Sequence, residues 1–247
     1  MHIYLSPHFD DVCFSLGNLA SRLGGHLVNL FTRSRYVGAK MALPTGEQER
    51  IEVVTRLRNQ EDQLFARAAR LVRHDLGLWE PAQMGWGSFD VANLDVEIAA
   101  LSARLLPFLG SILNSRAAPD TAHLYCPMGI GGHRNHLSTL VVVRQAYNAL
   151  RGRCTLFLYE DLHYASVHQA RQKGLGRIAR IFAGTHLSPI VLPIDPDAAQ
   201  RKMRFISFYA SQHPRTPQIS DFTPASGMAS GAHEIVWRVS QTQHAQA

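Results

Sequence analysis

A chain of 247 residues with 46% hydrophobic content is long enough to bury most of its apolar surface in one core, so residues 1–247 are read as a single domain. The three cysteines, Cys13, Cys126 and Cys154, are odd in number, widely spaced and free of any CxxC pair, which argues against a disulfide framework or a thiolate zinc site and for a reducing, cytoplasmic setting. A formal charge of +6 would suit an anionic partner, but the basic residues form small scattered clusters without an aromatic-interleaved stripe, so a solvated basic surface is expected and nucleic-acid binding is not.

Residues 1–5 are short and apolar and run straight into a polar turn, which predicts a first strand and no signal peptide. Residues 12–23 carry apolar positions at helical spacing, with Asp10 or Asp11 able to cap the helix. Gly24 and Gly25 stop it, and residues 26–32 read as a second strand, completing a βαβ unit. A loop at 35–45 precedes a long helical pattern at 48–70. Residues 75–87, with three glycines and a proline, are expected to be irregular, and 91–113 to be helical. A strand at 121–126, a glycine-rich turn at 128–132, a helix at 135–150 and a strand at 154–159 follow. Further on, 189–194 reads as a strand, 196–211 as a helix, and 234–239 as a closing segment in a turn-rich tail. No apolar run approaches the ~18 residues that cross a bilayer, so no membrane span is expected. Alternating strands and helices predict a three-layer α/β/α, Rossmann-like fold with a mostly parallel sheet and helices on both faces.

Ser6-Pro7-His8-Phe9-Asp10-Asp11 places one imidazole and two carboxylates in the loop leaving the first strand, where open α/β sheets build their sites. His8 and Asp11, three apart in a turn, can reach one cation, and their N/O donors suit zinc; the plainer reading is helix capping by Asp10 and Asp11 beside a surface histidine. A second stretch, Gly129-Ile130-Gly131-Gly132-His133-Arg134-Asn135-His136, again follows a predicted strand and opens a helix. Its plainer reading is a capping turn with two exposed histidines. If the two strands are neighbours in a parallel sheet, His8, Asp11 and His136 form a three-ligand site with an open position, the usual form of catalytic zinc.

SPHFDD followed by GGHRNH resembles the PIG-L/LmbE family of zinc-dependent N-acetyl-sugar deacetylases, in particular its bacterial branch. The resemblance extends to Arg58-Asn59-Gln60-Glu61-Asp62, to Tyr159-Glu160-Asp161-Leu162 and to Tyr209-Ala210-Ser211-Gln212, and so covers most of the chain. It implies His8, Asp11 and His136 as ligands of Zn2+, with Fe2+ or another divalent metal as the alternative occupant. It further implies Asp10 as general base, His133 as the oxyanion-stabilising histidine and Arg58 as a substrate-binding arginine. Phe9, Val12 and Asn135 depart from the family pattern, where proline, an acidic or small residue, and aspartate are usual.

The implied reaction removes an N-acetyl group from an amino-sugar conjugate by metal-activated water, with a protonated His133 assisting. Glu160 and Asp161, after a strand end, are expected to receive sugar hydroxyls or to cap a turn. Arg58 and Glu61, three apart, would otherwise form an intrahelical ion pair. Trp79, Met84, Trp86 and Phe89 either wall a sugar pocket or fill the core. Two alternatives stay open: an amide hydrolase acting on a non-sugar substrate, and a binding module that keeps the fold without turnover.

Overall fold

The computed structural model describes residues 1–114, 122–212 and 216–242. Five strands, β1 (His2–Ser6), β2 (Gly25–Arg33), β3 (Leu71–Trp79), β4 (His123–Pro127) and β5 (Thr155–Tyr159), run parallel. Two more, β6 (Thr185–Pro193) and β7 (His233–Gln241), complete a seven-stranded sheet in the order β3-β2-β1-β4-β5-β7-β6, with β7 antiparallel to both its neighbours. Between them lie α1 (Asp11–Leu23), α2 (Glu47–Ala68), α3 (Leu94–Asn114), α4 (Arg134–Leu150), α5 (His168–Ile181) and α6 (Pro196–Ile206).

The strand order reverses its direction of growth at β1, so the crossovers through α1 and α2 cover one face and those through α3 and α4 the other. Phe65 of α2 meets Phe205 of α6 edge-on at 5.5 Å between ring centres, which puts α6 on the first face. Arg144 of α4 donates to the Ile181 carbonyl at the end of α5 on the second. The doubly wound sandwich expected from the alternation is therefore present. Its switch point lies between β1 and β4, whose registers pair Ile3 with Leu124 and Tyr4 with Tyr125. In such sheets the crevice at the carboxyl ends of the two switch-point strands is where ligands bind.

Two expectations fail locally. The stretch expected to be irregular contains most of β3: Arg73, Asp75 and Gly77, the last at φ 73°, hide the period of an edge strand whose register slips against β2 between Asn29 and Phe31. Helix α5 was not anticipated, because Gly174, Gly176 and its many cations dilute the apolar stripe. Gly174 is there for contact, since a Cβ would lie 2.7 Å from Ile130. Helix α6 ends at Ile206, short of residue 211, and residue 121, expected to open β4, lies outside the described residues. By length and hydropathy α3 would also suffice to cross a bilayer, which the sequence reading did not assign. In this fold its buried row of Glu97, Leu101, Leu105 and Leu109 packs inward, with Glu97 ion-paired to the fully buried Arg134 of α4.

Candidate functional site

Two loops meet at the switch point. The first leaves β1 and is shaped by Ser6, whose hydroxyl donates to the His8 carbonyl (2.5 Å) and accepts from the Val12 amide (3.2 Å). It places Asp10 and Asp11 at the start of α1, although neither side chain caps that helix in the usual way: Asp11 turns back to accept the His8 amide at 2.7 Å. The second leaves β4 through Gly129, Gly131 and Gly132, all at positive φ. His133 then caps α4, its Nδ1 accepting the Asn135 amide at 3.3 Å. Helix α4 lifts His136 toward the first loop.

His8 Nδ1, Asp11 Oδ2 and His136 Nε2 form a triangle with edges of 3.2, 3.3 and 3.3 Å. A cation bound tetrahedrally at ~2.0–2.1 Å to nitrogen and oxygen needs donor atoms ~3.3 Å apart, so the donor set fits a zinc-like ion with one face open. His133 lies beside it, and His8, His133 and His136 offer ring nitrogens that are all within 4.8 Å of one another. Each ligand ring is held from behind. His8 Nε2 is hydrogen-bonded to Asn135 Oδ1 (2.9 Å), and Asn135 Nδ2 donates to Glu97 (2.9 Å), which fixes the amide's orientation. His136 Nδ1 donates to Asp161 Oδ1 at 2.7 Å, and the other oxygen of Asp161 accepts the Ile130 amide. With those outer nitrogens engaged, Nδ1 of His8 and Nε2 of His136 are the ring nitrogens that face the triangle.

The electrostatics follow from burial and crowding. Burial opposes the charge of His8, yet the Asp11 carboxylate outweighs it and raises the imidazole to about 9. Asp11 is pulled below the ordinary carboxylate range, since His136 and His8 overcome its desolvation. Asp10 is raised by burial against the opposing charge of Arg58. His133 is driven well below the usual imidazole value, first by burial and then by His8 and His136 beside it. The Asn135 amide donated to its Nδ1 puts the proton of the neutral ring on Nε2.

Asn135 holds His8 and Glu97 by its side chain and His133 by its backbone amide. The other two departures are core residues: Phe9 and Val12 are buried. Arg58 is also buried, donating through Nη1 to Glu80 (2.5 Å) and Ser34 (3.0 Å) and through Nη2 to Asp10 (3.4 Å), while its Nε has no hydrogen-bond partner among the described residues. Glu61 pairs with the amide and hydroxyl of Ser211, with no ion pair to Arg58. Glu160 accepts from Arg171 (2.6 and 2.8 Å) and Trp237 (3.0 Å). Glu160 and Asp161 are buried with their oxygens engaged. Sequence reasoning missed Glu97, whose signal is a lone acid on the apolar face of α3, and Tyr164, whose ring centre lies 6.2 Å from that of His136.

No family model matches the chain. Among curated proteins, the 2'-N-acetylparomamine deacetylase of Streptomyces fradiae is 27% identical over 221 residues, spanning 85% of this chain and 72% of its own. The crystal structure of the deacetylase of A40926 pseudoaglycone superposes with a TM-score of 0.65 at 19% identity, over 97% of both chains. That of a zinc-inhibited form of teicoplanin deacetylase gives 0.68 at 16% identity, over 98% of this chain and 99% of the other. The chain shares its fold with these solved deacetylases. Within that shared fold, the two loops that carry the sequence resemblance are the two that flank the switch point.

Proposed function

We propose that this protein is a divalent-metal-dependent hydrolase that removes the N-acetyl group from an amino-sugar conjugate. The carrying observation is the donor triangle of His8, Asp11 and His136, open on one face and bordered by Asp10 and His133. The similarity to 2'-N-acetylparomamine deacetylase supports the substrate class. Zinc suits two imidazoles and a carboxylate best. When bound there, such a cation lowers the pKa of water and polarises an amide carbonyl.

The chain's own groups supply the rest. Asp10, held by Arg58 and left outside the triangle, accepts the proton of the attacking water. His133 donates its Nε2 proton as a hydrogen bond to the oxygen of the acetamide as negative charge develops, an interaction whose loss typically costs ~10²–10³ in rate. Asp10 then returns the proton to the departing amine as the C–N bond breaks, giving acetate and a free amino sugar.

Asp10→Ala is expected to keep stoichiometric metal and to lose turnover by ~10²–10⁴, measured as acetate released from a panel of N-acetylated amino sugars. Turnover that survives the substitution removes Asp10 as the base. Equal rates on simple acyclic acetamides would replace the sugar deacetylase by a general amidase.

A further inference from the structure

We propose, on the reading of the site given above, that Phe89 is a specificity-determining residue: with Tyr164 it forms an aromatic corner that grips the apolar face of the sugar ring bearing the acetamide. Phe89 lies on the segment between β3 and α3 and is 61% exposed, a costly position for a phenyl ring. It is nevertheless fixed in place from both sides. The Ser88 carbonyl accepts the backbone amide of Arg134 (2.8 Å), and the Asp90 carbonyl accepts its guanidinium (2.8 Å), which also reaches the carbonyls of Ala92 and Asn93. Arg134 is itself fully buried, paired with Glu97 at 2.8 Å and stacked on Trp86 at 4.2 Å. It sits between His133 and Asn135 in sequence. The anchor that holds Phe89 is thus part of the same turn that holds the site.

The ring geometry gives the corner its shape. Phe89 stands edge-on to His133, with 5.7 Å between ring centres and 77° between planes, and nearly perpendicular to Tyr164 at 6.4 Å and 88°. Tyr164 in turn meets His136 at 6.2 Å and 86°. Tyr164 can lie over the glycine turn only because residue 131 has no side chain; a Cβ there would come within 2.4 Å of its ring. Two rigid aromatic faces at a right angle, both flanking the catalytic imidazoles, match a saturated ring whose C–H bonds point their positive ends at the negative π faces. Because the loop is already ordered, little freedom is lost on binding. An acyclic acetamide has no such face to offer.

The test separates the corner from the chemistry. Phe89→Ala is expected to raise KM for methyl N-acetylglucosaminide about tenfold while kcat stays within about twofold, and Phe89→Trp to restore KM. N-acetylethanolamine, which keeps the acetamide and lacks the ring, is expected to be unaffected by either change. An equal effect on both compounds, or a fall in kcat at constant KM, overturns the proposal. Calorimetric binding of methyl N-acetylglucosaminide to Asp10→Ala protein, with and without Phe89→Ala, reads the corner without turnover. About tenfold weaker binding supports it and an unchanged Kd overturns it, even for a protein that releases no acetate.

Discussion

At the scale of single residues, the two imidazoles of the triangle are held by partners of opposite character. A neutral amide, Asn135, holds His8, and a buried carboxylate, Asp161, holds His136. A carboxylate behind an imidazole fixes its tautomer and raises its basicity toward a cation, so on the proposed reading Asp161 would set how strongly His136 binds the metal. Asp161→Asn is expected to weaken metal affinity by ~10–100-fold in a chelator competition while the protein stays folded. Affinity equal to that of the wild type would separate Asp161 from the metal centre. The residue types of both loops, and the convergence of His8 and Asp11, were legible in the sequence, because spacing within a turn is a local property. That the Asn135 side chain serves His8 was illegible, since the two residues are 127 apart in the chain.

At the scale of elements, the turn from β4 into α4 sets both the ligand and the aromatic wall. Gly131 sits at φ 91°, where a side chain is strained, and its missing Cβ is the space that Tyr164 occupies. Gly131→Ala should therefore both strain the turn and displace Tyr164, costing ~1–3 kcal/mol in denaturant unfolding. A loss no larger than that of an ordinary surface substitution would mean the turn relaxes around it. Glycine clusters and helical periodicity made this turn, α1, α2 and α4 readable from sequence, because breakers and a 3.6-residue period act within a few residues. Strand β3 and helix α5 escaped for the converse reason: each is polar along much of its length and is stabilised by neighbours, β2 for the one and the Ile130 turn for the other.

At the scale of the whole molecule, a buried polar knot ties α2 to the sheet and to the segment after α6. Asp62 of α2 accepts from Asn29 of β2 (2.7 Å) and from the Tyr209 hydroxyl (2.8 Å), with Arg73 of β3 at 3.5 Å. Burial raises its pKa to about 7 despite the opposing pull of Arg73. An unfolded aspartate titrates near ~3.9, so the folded state binds this proton more tightly. The stabilisation is complete below about pH 4 and is lost as pH rises through 7. Asp62→Asn should remove this contribution, flattening the dependence of unfolding free energy on pH between 4 and 7; an unaltered slope would show that Asp62 does not titrate in that range.

By itself, the order of residues determined the alternation of strands and helices and the two glycine- and acid-bearing loops that carry the ligand types, since propensity, periodicity and turn chemistry are short-range. Only the tertiary structure decided which side chains face the metal-sized triangle and which stand behind it. Arg58, Glu160 and Asp161, all plausible at a substrate surface from their motifs, are buried in ion pairs and hydrogen bonds because the fold desolvates them, and a desolvated charge must take its partner from the protein. Phe89 goes the other way, left in the open by an arginine that pins the chain on both sides of it.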